Sequence, residues 1–247
     1  MNFNEYFFVN HDKKLVYFPV NKNASTTYIQ FFKTKKEWEH TDIFSSELND
    51  YVWFSHIQNP TDRWIKGISE VLDTNNIYHY ISDPALCVFL IRIYHDNHIT
   101  SLRDLFDEKV MCINFIPMSD KTEQTTYNFL QTFGVDYPDL LKLKRMNVSK
   151  RRKKVIHEKI RSIISTYPKA KKVYEQRIFP FYNTDRELWA QSKESVGKWP
   201  YAPTVSMHKK HKQDILDTME REKQEKQEIE DMTFWQRLNY AINIVIR

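Results

Sequence analysis

Apolar positions in the first half of the chain fall in short blocks separated by polar stretches. Lys14–Val20 (KLVYFPV) is an apolar run with β-branched and aromatic residues, which predicts a buried strand. The polar loop NKNAS follows. Thr26–Lys33 (TTYIQFFK) then predicts a helix, with Ser25 or Thr26 as its N-cap. Tyr51–Ile57 (YVWFSHI) predicts a second strand, Asn59-Pro60 breaks it, and Asp62–Leu72 continues as a helix. Strand–loop–helix followed by strand–turn–helix predicts an α/β fold, a mostly parallel sheet flanked by helices.

The second half is more helical. Asp83-Pro84 starts a helix that runs to about Asn97, with the Asp as N-cap and the Pro at the first helical position. Val110–Ile116 predicts a third strand, and Ser119–Phe133 a helix closed by Gly134. Further helices are expected over Arg152–Thr166, Lys169–Phe179 and Asp185–Ser192. From Ser195 the composition shifts, so the chain divides into an α/β domain over 1–195 and a C-terminal extension over 196–247. Trp199-Pro200 and Ala202-Pro203 read as an extended linker. Ser206–Asp231 holds six Lys/Arg and eight Asp/Glu, a solvated helix held in part by i,i+4 pairs. Phe234, Trp235, Leu238, Ala241, Ile242 and Val245 form one helical stripe in the tail. Such a stripe packs on a core or partner, lies on a membrane surface, or joins copies into a homo-oligomer.

Composition narrows the chemistry. Cys87 and Cys112 are the only cysteines among 247 residues, which excludes a secreted disulfide framework and favours a reducing compartment. The N-terminus lacks the basic start and apolar run of a secretory signal. No stretch approaches the ~18–20 apolar residues of a membrane span. A cytoplasmic protein is expected. With three glycines, Gly67, Gly134 and Gly197, neither GxxxxGK[ST] nor GxGxxG can be written, so any phosphate loop works without glycine. The net charge of +5 is mild, but Lys142–Lys154 carries eight basic residues in thirteen and no acid.

Two segments carry candidate chemistry. In Val16–Phe32 a strand enters a loop with Lys22, then Asn23, Ala24, Ser25, Thr26 and Thr27, then a helix. Helix N-terminal amides and a lysine make an anion site; an ordinary surface turn is the alternative. The segment resembles the 5′-phosphosulfate loop of sulfotransferases that use 3′-phosphoadenosine 5′-phosphosulfate (PAPS), with Asn21 in place of the usual proline. Val52–Glu70 is similar to that family's 3′-phosphate segment. Asn59, Pro60 and Arg63 match it, whereas Gln58 stands at the arginine position and Lys66 at the serine position. Weaker echoes of the Golgi-type carbohydrate branch follow in family order: Asn114–Ser119, Met146–Arg151, and Asp185-Arg186-Glu187-Leu188.

The resemblance covers roughly residues 14–190. It implies a three-layer, P-loop-NTPase-like sulfotransferase fold. It also implies sulfuryl transfer from PAPS to a hydroxyl, on a carbohydrate acceptor, leaving adenosine 3′,5′-bisphosphate and needing no metal. Lys22 and the 22–27 backbone would hold the phosphosulfate. Arg63, Lys66, Ser149, Lys150 and Arg151 would hold the nucleotide's 3′ side. A base of near-neutral pKa is required. His40 is the first candidate, with His56 and the glutamates Glu37, Glu39 and Glu47 as rivals. The Lys142–Lys154 cluster reads as a donor contact, a solvated helix start or a nucleic-acid patch; it lacks interleaved aromatics, which argues against the last. His208 and His211 are too few for a metal site. A non-catalytic phospholigand- or glycan-binding protein on the same fold is the alternative function.

Overall fold

A computed structural model of the chain describes residues 6–74, 82, 99–144 and 151–231, with the side chains of 151, 152, 177, 222, 223 and 225–231 left aside. The predicted helix from Asp83 and the apolar stripe from Phe234 lie outside the described residues.

The centre is a five-stranded sheet in the order β3-β1-β2-β4-β5. Its strands are β1 (Phe7–Asn10), β2 (Leu15–Tyr17), β3 (Glu39–Thr41), β4 (Val52–Ile57) and β5 (Ile113–Pro117). The sheet is mixed, which corrects the expectation of a parallel one. β2, β4 and β5 run parallel, and β1 pairs antiparallel with both β2 and β3. The antiparallel part comes from a hairpin in which Val9 faces Val16. Its turn is closed by Lys14 at φ 50 and by the Lys13 amide donating to Asn10 Oδ1 at 3.0 Å. A turn this short can join only antiparallel strands.

Side-chain alternation sends residues to two faces. Phe7, Val9, Val16, Trp53, Ile57, Ile113 and Phe115 bury one face beneath α3 (Leu102–Phe106) and α7 (Asn183–Glu194). Phe8, Leu15, Tyr17, Phe54 and Ile116 bury the other beneath α1 (Ser25–Lys33) and α4 (Thr122–Thr132). A third cluster holds α2 (Pro60–Thr74) to α5 (Arg151–Thr166), with Trp64, Ile68, Ile156 and Ile160 fully or nearly out of water.

Local chemistry explains several boundaries. Asn59 caps α2, its Oδ1 accepting from the amides of Thr61 and Asp62, and Pro60 takes the first helical position. The expected cap of α1 at Ser25 or Thr26 is corrected: Ala24 occupies that place at φ 59, with no side-chain cap. The third strand starts only at Ile113, because Asp107–Cys112 forms a 3₁₀ turn that buries Val110 and Cys112 without strand pairing. The helix predicted over 169–179 is interrupted. α6 (Pro168–Val173) passes into a π-helical turn over Tyr174–Ile178, where Pro180 removes an amide that regular α-helix would use.

The segment predicted as a linker is pinned. The amides of Tyr201 and Ala202 donate to Asn114 Oδ1 at 2.9 and 3.1 Å. The Tyr201 hydroxyl accepts from the Phe115 amide at 2.6 Å. The chain accordingly divides into two compact units after Thr204, and the second contains α8 (Val205–Asp231). Among the described residues no helix is long and apolar enough to cross a membrane.

Candidate functional site

The loop after β2 is built without glycine, yet two of its residues take left-handed backbone, Lys22 at φ 67 and Ala24 at φ 59. Each such residue costs about 1 kcal/mol or more, and persists only where its surroundings over-determine it. Here they do. Ser55 Oγ donates to the Phe18 carbonyl at 2.6 Å, continuing the contact of β2 with β4. Asn23 is fully buried, its Nδ2 donating to the His56 carbonyl at 2.7 Å. Gln58 Nε2 donates to the Lys22 carbonyl at 2.6 Å, and Arg63 Nε to that of Asn21 at 3.4 Å. The loop's carbonyls are thus held by the β4–α2 junction. α1 begins immediately afterwards, the amides of Thr27 and Tyr28 donating to the Ala24 carbonyl at 3.0 and 3.3 Å.

These contacts bring the two candidate segments together. Lys66 Nζ donates to Gln58 Oε1 at 2.5 Å, so the two residues at which the second segment departs from the resembled pattern bond to each other. Lys22 Nζ lies 3.2 Å from Glu70 Oε2, and Lys153 Nζ reaches the same oxygen at 2.5 Å. Burial of Glu70 opposes its ionisation. The hydrogen bonds and charges of Lys153 and Lys22 outweigh that and hold its carboxyl below the usual range. His157 stands in the same neighbourhood. Burial lowers its imidazole pKa, and Lys66, Arg161, Lys153 and Lys22 lower it further.

Arg63 is 1% exposed. Its Nη1 lies 3.4 Å from Asp185 Oδ2, while Asp185 also accepts from the Leu102 amide at 2.9 Å. Burial pushes the Asp185 carboxyl up to about 6 against the pull of Arg63. Arg63 Nη2 is buried with no partner among the described residues. The guanidinium therefore ties the loop, α2, α7 and the start of α3 together, and keeps one donor in reserve.

The two histidines considered as bases lie elsewhere. His40 is on β3, the edge strand two places from β2, where it meets the rings of Tyr6 and Phe8. It is part of an edge strand rather than of a loop. His56 is fully buried between β4, α1 and α4. Its ring stacks on Tyr28 with centroids 3.8 Å apart. Nε2 is 3.0 Å from Thr126 Oγ1 and Nδ1 3.4 Å from the Tyr17 hydroxyl. With the Thr126 proton on the Thr122 carbonyl, 2.8 Å away, Nε2 donates to Thr126 Oγ1. What His56 supplies to the loop is its backbone carbonyl. Ser149 and Lys150, and the side chain of Arg151, lie outside the described residues.

The residues that complete the site were not singled out in the sequence. Glu70 sits four residues after Lys66, and His157 four after Lys153, both ordinary same-face helical spacings. The missing information was that α2 packs against α5. The arrangement gathers Lys22, Lys66 and Lys153 at the β4–α2 junction, with Glu70 as the counter-charge of Lys22 and Lys153. No protein-family model, no curated protein and no solved structure matches the chain.

Proposed function

We propose that the protein is a sulfotransferase of the PAPS-dependent kind, with the three-layer fold of that family, acting on a hydroxyl of a carbohydrate acceptor. One observation carries it. The Lys22 loop and the Gln58–Lys66 segment, which separately resemble the donor-binding motifs, leave the same ends of the adjacent parallel strands β2 and β4 and bond to each other. The carboxyl ends of parallel strands are where α/β sheets place nucleotide sites.

In this mechanism the acceptor oxygen attacks sulfur as the bond from sulfur to the phosphate oxygen breaks. The acceptor's proton passes to a base, and adenosine 3′,5′-bisphosphate leaves with the electron pair. Lys22 meets the charge that grows on the departing oxygen, a contact stronger in the transition state than in the ground state. The Ser25 amide at the start of α1 and the Lys22 side chain hold the phosphosulfate oxygens. Gln58 presents the Lys22 carbonyl and steadies Lys66, so the loop is formed before the donor arrives.

Titration with adenosine 3′,5′-bisphosphate, followed by assay of sulfuryl transfer from PAPS to a panel of glycans, tests it. Binding with transfer is expected, and absence of nucleotide binding would overturn it. The Lys66–Gln58 bond favours one other reading, an anion-binding protein that transfers nothing. Tight nucleotide binding without turnover on any hydroxyl would select it.

A further inference from the structure

The second unit begins with α8, and the order of charges along that helix runs against the helix itself. Lys209, Lys210 and Lys212, with His208 and His211, lie near its start, and no acid comes before Asp214. At the other end, residues 222–231 carry five acids and two lysines. A helix N-terminus favours anions and a C-terminus favours cations. The first turn of α8 holds no acid and its last turn no base. Both ends are therefore charged in the sense that weakens a helix standing alone.

The middle of α8 is apolar and uncovered. Every residue from Lys209 to Arg221 is exposed. Ile215, Leu216 and Met219 are 47, 49 and 61% exposed, and all lie within one turn of Thr218, the midpoint of the helix. Ile215 and Met219 share a face at i,i+4. Adjacent exposed apolar side chains on an otherwise charged helix mark a packing surface.

A second copy of α8, laid antiparallel, answers both features. Turning the helix end for end about Thr218 leaves the apolar middle in place and sets each basic start beside an acidic end. The charges match: three lysines and no acid over 205–213 give +3, and two lysines with five acids over 222–231 give −3. A two-fold contact of this kind is self-complementary. A parallel pair would also join the apolar middles, but it would set lysine against lysine.

We propose that α8 is a homodimerisation element, pairing antiparallel with α8 of a second copy through Ile215, Leu216 and Met219, its basic start on the partner's acidic end. The helix is ~40 Å long and has one apolar patch, so the dimer is reversible and weakened by salt. Sedimentation equilibrium of the full chain at about 10–200 μM, a range suited to micromolar association, tests it. The mass is expected to rise toward twice the 30.0 kDa chain, and to fall back as salt is raised from about 0.05 to about 0.5 M. Lys209→Glu with Lys210→Glu, and separately Glu225→Lys with Glu228→Lys, should each weaken the dimer by about tenfold or more. An equimolar mixture of the two variants should dimerise again. Both pairs of changes put the favoured charge at a helix end, so a lost dimer cannot come from a weakened helix. A chain monomeric throughout overturns the proposal, as does a mixture that stays monomeric. A dimer unmoved by either pair also overturns it, since it forms parallel along α8 or through the apolar stripe of the tail.

Discussion

Two histidine-centred regions of this protein are built on opposite terms. Around His56, between β4, α1 and α4, the polar contacts close on themselves: the ring gives to Thr126, lies within hydrogen-bond reach of the Tyr17 hydroxyl and stacks on Tyr28. Around His157, between α2 and α5, burial and then the charges of Lys66, Arg161, Lys153 and Lys22 push the imidazole toward neutrality. A closed network in low dielectric rigidifies a fold. The difference separates a sealed histidine, His56, from a half-buried one among lysines, His157, and it runs against their positions in the sequence, where His56 lies nearest the candidate motifs.

The comparison can be broken at several points. The largest effect is expected from Lys22→Ala, which removes the cation facing the leaving oxygen. Sulfuryl transfer should fall by about 100-fold or more, the scale of one lost transition-state donor, with the melting temperature nearly unchanged. Full transfer by that variant would move the chemistry away from the loop. His56→Ala should act in the opposite manner, costing about 3 kcal/mol of stability through the lost ring and the unpaired Thr126 and Tyr17 groups. Denaturant unfolding reads this directly. A stable but inactive His56→Ala protein would make the ring catalytic after all.

Asp185 sharpens the contrast through pH. Its folded pKa, about 6, lies above the ordinary carboxylate value, so the folded state binds this proton more tightly. Its contribution to stability is therefore greatest below about pH 4 and declines as the pH rises through about 6. Asp185→Asn should lack that slope, as unfolding free energies measured across this window will report. Gln58→Arg is expected to have the smallest effect, tightening adenosine 3′,5′-bisphosphate by about tenfold through one added bidentate contact. Unchanged affinity in titration calorimetry would place the 3′-phosphate elsewhere.

Much of the core's scaffold was legible because its signals are local. β4 is an apolar run closed by Asn59-Pro60, and the same Asn and Pro cap and start α2. α4, expected over Ser119–Phe133 with Gly134 as its stop, and α5, expected over Arg152–Thr166 before Tyr167-Pro168, lie within a few residues of their observed limits. β1 and β3 were not legible. FFVN is four residues long, and EHT is three residues of mostly exposed edge strand, too short and too polar for alternation to register. With those strands unseen, the sheet was expected to be parallel. The strap around Tyr201 read as a linker because the Asn114 side chain that pins it is distant in the chain.

The amino-acid sequence by itself determined that a glycine-free, lysine-bearing loop joins a buried strand to a helix, and that Asn59 and Pro60 start another beside it. Those are short-range facts, set by capping, apolar runs and the residues a turn tolerates. Only the tertiary structure decided that Lys22 meets Glu70, that Arg63 is sealed against Asp185, and that His157 rather than His40 or His56 stands among the site's lysines. Each depends on which helix face packs on which. That choice is made by burial summed over whole elements, and no single stretch of sequence contains it.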